Sequence, residues 1–271
     1  MFMGSTAHDD TARSPATLLT DARHGRATTD VREIRSYEKS LERSRVSLHR
    51  PDRPSEFTLL GRRWDLLDHV FAPPYSPSTR TAAGLLGLDS AAPSGTAAPL
   101  APDAPAFLEV GSGAGVIAVQ AALAGNRVSA VDVNEHAVRN TALNAARHGV
   151  ADRLEAVHGD LLAPFAGRLF DRIFWSSNYV LAPEEYVFHT DHERAYVDPG
   201  YRAHRRYLTE AVHHLAPGGR ALLHFCDRGQ LDLLTRIAAE QGRALTTLAG
   251  RTVLEGESAV RHMLLEITAA E

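Results

Sequence analysis

From residue 106 onward, short apolar runs alternate with longer stretches of helical apolar spacing. The runs at 106–110, 127–131, 154–158, 170–175 and 220–225 are rich in Val, Ile, Leu, Ala and Phe and end in turn residues, the pattern of buried strands. The stretches at 115–124, 137–148, 201–215 and 231–241 predict helices, and runs at 244–249 and 261–267 predict two closing strands. Strands that alternate with helices imply right-handed crossovers and a parallel sheet covered on both faces. Two strands close in sequence at the end predict an antiparallel pair at one edge.

Upstream the pattern changes. Residues 31–48 place Val31, Ile34, Tyr37, Leu41 and Leu48 near helical spacing among charges. That predicts a surface helix docked by one narrow apolar stripe, a packing helix first and a lid or dimer contact second. Residues 57–61 and 64–67 predict a hairpin turning at Gly61 and Arg62. The prolines of 71–79 exclude a helix there, and one capped by Ser78 or Thr79 should follow. The chain thus divides into a disordered tail at 1–30, a helix and hairpin extension at 31–87, a Pro- and Ala-rich linker at 88–105, and a main domain at 106–271.

Composition removes several classes. The chain has 271 residues and a net charge of −4, which argues against nucleic-acid binding by bulk electrostatics. Its single cysteine, Cys226, excludes an internal disulfide and a cysteine-based zinc site, and reads as a core residue. No apolar run is long enough to span a bilayer, and no secretory pattern opens the chain, so a cytoplasmic protein is expected.

The most informative stretch is Glu109-Val-Gly111-Ser-Gly113-Ala-Gly115. A strand ends in three alternate glycines and opens a helix, so backbone can approach a ligand beside free N–H groups. A glycine turn alone suits many nucleotide ligands. Asp132 ends the next strand, where a carboxylate can accept both hydroxyls of a ribose. Glu109 beside the loop would repel a pyrophosphate and suits a cation or an amino group. Asp160 and Leu161 end the third strand, placed to receive an adenine amino group and cover its ring.

In this order, E-V-G-S-G-A-G at 109–115, V-D-V-N at 131–134, G-D-L at 159–161, F-D-x-I-x-W at 170–175 and L-x-P-G-G at 215–219 resemble the class I S-adenosylmethionine-dependent methyltransferases. The resemblance covers about the last two-thirds of the chain and is specific only jointly. It implies a Rossmann-like α/β fold, a seven-stranded, mostly parallel sheet with helices on both faces and an antiparallel edge strand, plus the small N-terminal helical extension. It also implies S-adenosylmethionine as cofactor, with S-adenosylhomocysteine as product. Gly111, Ser112, Gly113 and Gly115 would line the methionine moiety, Asp132 and Val133 the ribose, and Asp160 and Leu161 the adenine.

After the fourth strand comes Ser176-Ser-Asn178-Tyr179. In the branch that includes release-factor glutamine methyltransferases this place carries Asn-Pro-Pro-Tyr. Tyr179 aligns with the aromatic, Ser176 stands where the Asn would be, and Asn178 follows two residues later. The segment 71–79 resembles that branch's entry segment, which puts Thr79 beside the cofactor and Tyr75 toward the substrate. Ser176, Asn178 and Tyr179 are the expected acceptor-orienting residues, with Ser176 also touching cofactor. The long connection 181–201 is rich in acids and aromatics, which predicts a pocket for a cationic substrate lined by Glu184, Glu185, His189 and Glu193. His189 and His192 have metal-compatible spacing but no evident third ligand, so no metal is expected. His224 and Cys226 alternate along the fifth strand and share a face.

The expected function is methyl transfer to nitrogen of a small amine, guanidine or amino acid. A protein glutamine or RNA methyltransferase is the alternative, and a non-catalytic cofactor-binding scaffold the third. The expected partner is a small molecule, with no nucleic acid, no membrane and a homodimer through the N-terminal helix.

Overall fold

The computed structural model describes residues 34–89 and 100–270. The expected tail at 1–30 and most of the linker lie outside the described residues. Seven strands build the central sheet: β3 (Ala106–Val110), β4 (Arg127–Asp132), β5 (Leu154–His158), β6 (Phe170–Ser176), β9 (Leu215–Cys226), β10 (Arg243–Glu255) and β11 (Ser258–Ala269). Their order across the sheet is β10-β11-β9-β6-β3-β4-β5. The pairs β9–β6, β6–β3, β3–β4 and β4–β5 are parallel, while β11 runs antiparallel to both β9 and β10.

Each face of the sheet carries its own core. On one face Phe107, Val116, Ile117, Val128, Phe174 and Leu264 pack beneath α3 (Val116–Leu123) and α4 (Glu135–Arg147). On the other, Leu108, Ile173, Tyr207, Leu223, Leu234 and Met263 pack beneath α5 (Arg202–Glu210) and α6 (Leu231–Glu240). The four central parallel strands read as almost continuous apolar runs because they are buried on both sides. The helix expected over 201–215 ends at Glu210. Residues Ala211–His214 continue as a single 3-10 turn before β9, which starts earlier than the expected 220–225.

The extension is welded to the first core. The hairpin pairs β1 (Glu56–Leu59) with β2 (Arg62–Asp65), and Leu60 and Gly61 both take positive φ at its turn, as a two-residue hairpin of this twist requires. Trp64 is fully buried and donates its indole N–H to the Leu59 carbonyl. Asn144 of α4 accepts from the Asp65 N–H and donates to the Asp65 and Ala114 carbonyls, while Asn140 accepts from the Leu67 N–H and donates to the Asp65 carbonyl. The following helix α2 (Ser78–Leu85) is preceded by a 3-10 turn at Pro73–Tyr75. Neither Ser78 nor Thr79 caps it: Pro77 occupies the N-cap, and the Ser76 hydroxyl accepts from the Ser78 N–H.

The first helix departs most from expectation. α1 (Tyr37–His49) buries Ser40, Ser44 and Ser47, not an apolar stripe, and Val46 is exposed. Serines at i, i+4 and i+7 share a face, and their small size lets the helix approach its neighbour closely. Ser44 meets His192 there at 2.8 Å between Oγ and Nδ1. Tyr37 and Leu41 join a small third cluster around Val180, Ala182 and Val197.

Candidate functional site

At the carboxyl ends of β3, β4, β5 and β6 lies a cavity of about 1450 Å³, the place where open parallel sheets bind ligands. Single drug-sized ligands occupy roughly 300–1,000 Å³, so this space accommodates a cofactor and a second molecule together. Its wall includes the glycine loop, the ends of β4 and β6, the 71–80 segment, part of α1, and aromatic residues from 186–196.

The glycine loop has the geometry its spacing predicted. Gly111, Gly113 and Gly115 all lie at positive φ. A Cβ at Gly113 would meet nothing within 4 Å, so backbone there faces open space. Gly115 answers a different need: a Cβ would come to 2.8 Å from the Thr141 backbone, so it lets α3 pack on α4 and does not line the cavity. Asp132 accepts from the Gly113 N–H and the Asn134 N–H, both at 2.9 Å, which fixes its carboxylate against the loop. Burial raises its pKa against those two bonds. Glu109 is buried and accepts from the Ala118 N–H at 2.7 Å. Burial, reinforced by the nearby Asp132 charge, pushes its carboxyl well above the ordinary range. An acidic pair held in that state favours a ligand that brings positive charge. Leu161 lines the cavity at positive φ, a strained setting for a leucine. Asp160 also lines it and pairs with Arg206 at 2.5 Å.

Of the expected cofactor residues, Thr79, Glu109, Gly111, Ser112, Gly113, Asp132, Val133, Asp160, Leu161 and Ser176 share this wall. Of the expected acceptor-side residues, Tyr75, Ser176, Asn178 and Tyr179 share it, while Glu184, Glu185, His189 and Glu193 do not. The reason is a pinch in the long connection. The two-residue strands β7 (Leu181–Ala182) and β8 (Asp198–Pro199) pair in parallel and close the loop at its base. Glu184 then lies against Gly200, and Glu193 takes the Tyr186 hydroxyl and the His189 N–H. The aromatics Tyr186, Phe188 and Tyr196 turn inward instead.

Asn178 is committed to structure. Its amide donates to the Arg194 and Val197 carbonyls at 2.9 and 2.8 Å, tying the connection to the end of β6. Tyr179 packs its ring against His224, Phe225 and His262, and its phenol neighbours Cys226. Burial raises that phenol well above its usual value, and burial likewise lifts the Cys226 thiol to about 12. His224 and Cys226 do share a face, the one Tyr179 covers.

The charge of the wall reverses the expected picture. Five of its acids pair with basic side chains, Glu42 with Arg45, Asp160 with Arg206, Asp191 with Arg194, Asp198 with His204 and Glu255 with Arg228, while Glu109 and Asp132 accept from backbone N–H groups. Arg43, Arg80 and Arg202 line the same cavity with no carboxylate in ion-pair range among the described residues. Arg43 reaches from α1 to the neighbourhood of Arg228, Tyr179, Glu255 and Tyr196. Burial, then the Arg228 charge, lowers its pKa against the nearby Glu255, and its guanidinium donates to the Ser40 hydroxyl at 2.5 Å. Sequence spacing could not reveal this, because the arginines come from three separate elements.

A family profile described as a methyltransferase domain matches residues 107–200. The ribosomal protein L11 methyltransferase of Pelotomaculum thermopropionicum is 49% identical over 61 residues, 22% of this chain and 20% of that protein. The release factor glutamine methyltransferase of Cereibacter sphaeroides is 28% identical over an alignment of 271 residues, 88% of each chain. The chain spans a fifth to a half of the length of the first two curated relatives it matches. Among solved structures, a SAM-dependent methyltransferase from Agrobacterium tumefaciens superposes with a TM-score of 0.51 at 16% identity, over 80% of this chain and 70% of that one, a likeness of fold.

Proposed function

The chain carries a class I S-adenosylmethionine-dependent methyltransferase domain with S-adenosylmethionine as its cofactor, and from that premise we propose that it methylates a small polar molecule bearing a carboxylate. The residues present fit the cofactor. Gly113 offers open backbone, Asp132 a fixed carboxylate for ribose hydroxyls, Leu161 an apolar cover, and Glu109 a partner for positive charge. Bound there, the cofactor supplies an electrophilic methyl group on a sulfonium.

The single observation that carries the acceptor reading is the set of three arginines, Arg43, Arg80 and Arg202, that line the wall with no carboxylate in ion-pair range among the described residues. The cofactor brings one carboxylate of its own. Arg43, beside Tyr179 and Tyr196, is left for the acceptor. A guanidinium with no carboxylate in ion-pair range binds one through charge-assisted bonds worth about 1.5–3 kcal/mol. A cationic amine finds no partner in the acidic loop that suggested it, since Glu184, Glu185 and Glu193 lie outside the wall.

The release factor relative favours a second reading, methylation of a glutamine side chain in a protein. Against it stands Ser176 in place of the Asn, in a cavity walled in part by α1 and the 186–196 aromatics.

Calorimetric titration with S-adenosylmethionine and S-adenosylhomocysteine comes first, followed by methyl-transfer assays on two panels. One holds small carboxylates with hydroxyl, amide or amino groups; the other holds glutamine-bearing peptides. Micromolar cofactor binding with turnover on the first panel is expected. Turnover confined to the peptides would replace this reading with the second, and a wild type that binds neither cofactor nor product would overturn both.

A further inference from the structure

One array of side chains leads out of the cavity into the sheet. Ser176, at the end of β6, lines the cavity one residue beyond Trp175, which pairs with Val110 just before the glycine loop. Its Oγ lies 3.0 Å from His224 Nδ1. His224 Nε2 lies 2.9 Å from His262 Nδ1, and His262 Nε2 lies 2.9 Å from Glu255 Oε1. Glu255 Oε2 accepts from Arg228 Nε at 2.5 Å. The two imidazoles are fully buried and stacked, with centroids 5.1 Å apart and planes 16° from parallel. The array joins β6, β9 and the β10–β11 hairpin, three parts of the sheet well separated in the chain.

The bonds have one consistent direction. Glu255, an acceptor at both oxygens, requires a proton on His262 Nε2. A neutral His262 then accepts at Nδ1, which requires a proton on His224 Nε2. His224 in turn accepts at Nδ1 from the Ser176 hydroxyl, and Ser176 Oγ is left with its lone pairs toward the cavity.

We propose that Ser176 and His224 form the proton-accepting pair of this site, with His262 and Glu255 as positioning residues, for an acceptor that loses a proton as it is methylated. This rests on the methyl-transfer reading above. As the bond from the acceptor to the methyl carbon forms and the carbon–sulfur bond breaks, the acceptor's proton passes to Ser176 Oγ. The Ser176 hydroxyl proton passes to His224 Nδ1. His262 and Glu255 stabilise the resulting imidazolium, as the buried carboxylate does in a serine triad without itself taking the proton. When product leaves, the proton returns through Ser176 to water, and the array is restored.

The surroundings of the pair keep His224 neutral at rest. Burial, then the neighbouring His262, lowers His224 to about 3. Burial opposes ionisation of Glu255, but the bonds from His262 and Arg228 hold it below the usual carboxylate range. The titratable groups facing the pair are His262, Glu255, Arg228, Arg43, Tyr179 and Cys226. Burial holds the Tyr179 phenol and the Cys226 thiol neutral at physiological pH.

The test begins on the full chain without cofactor, by nitrogen-15 NMR of the histidine rings, assigned with His224→Gln and His262→Gln. His224 should be neutral at physiological pH with its proton on Nε2, and His262 should hold a proton on Nε2 toward Glu255. A proton on His224 Nδ1, or a doubly protonated His262 at neutral pH, would overturn the proposal. In turnover, Ser176→Ala should lower kcat by about 100-fold or more while the cofactor Kd stays within about threefold. Glu255→Gln should lower kcat with KM unchanged. Should wild type fail to bind cofactor, the methyl-transfer reading falls, yet the ring protonation still decides whether the array has this direction.

Discussion

The two halves of the cavity are built by opposite means. The cofactor half is local: the glycine loop, Asp132 and Asp160 each follow directly on a parallel strand, and backbone N–H groups do most of the holding. The acceptor half is assembled from α1, the 71–80 segment, the β7–β8 connection and the β10–β11 end, and side chains do the holding. Backbone geometry tolerates little sequence variation. Side-chain assembly can be rewritten residue by residue, so one scaffold can keep its cofactor and change its acceptor.

That contrast breaks most readily at Asp132. Asp132→Ala removes the carboxylate and frees the Gly113 N–H it holds, and should weaken cofactor binding by about 100-fold by calorimetry, near 2.7 kcal/mol. Acceptor-side substitutions should leave the same Kd almost untouched. Arg43→Met sharpens the other side. It should raise KM for a carboxylate-bearing acceptor by roughly 10- to 100-fold and leave cofactor affinity alone. An equal loss of cofactor affinity would mean the arginine serves the cofactor instead.

Ser44→Ala tests the wall itself. It leaves the buried His192 Nδ1 without its partner, so amides of α1 should exchange with solvent about tenfold faster while those of β3 and β6 keep their rates. The smallest expected effect is on pH. Glu109 is held neutral to higher pH than an ordinary carboxyl by burial, and a cationic ligand binds its ionised form better. Cofactor affinity should therefore rise with pH through that ionisation, on the order of threefold per unit, with proton release on binding. Glu109→Gln should flatten the profile.

How much was legible follows from the same contrast. The order of strands and helices from Ala106 onward could be read because buried parallel strands leave unmistakable apolar runs. Gly111, Gly113, Asp132 and Leu161 could be placed on the cavity wall because they lie at strand ends, whereas Gly115 serves the packing of α3 on α4. The serine face of α1 could not, since small polar residues carry no hydrophobic period. The acids of 184–193 misled because composition does not say which way a loop turns, and the β7–β8 pairing is only two residues long. His262 and Glu255 share a hairpin, but their tie to His224 and Ser176 gave no local signal, because β6, β9 and β11 meet only in the sheet.

The helix that walls the cavity has a thermal consequence. Its docked face presents Ser40, Ser44 and Ser47 to its neighbour. Lifting such a face wets hydroxyls more than hydrocarbon, and exposed polar surface offsets the heat-capacity gain that apolar surface brings. Detachment of α1 would also expose Tyr37 and Leu41, so its heat-capacity change would not be absent, only smaller than that of the two cores beneath it.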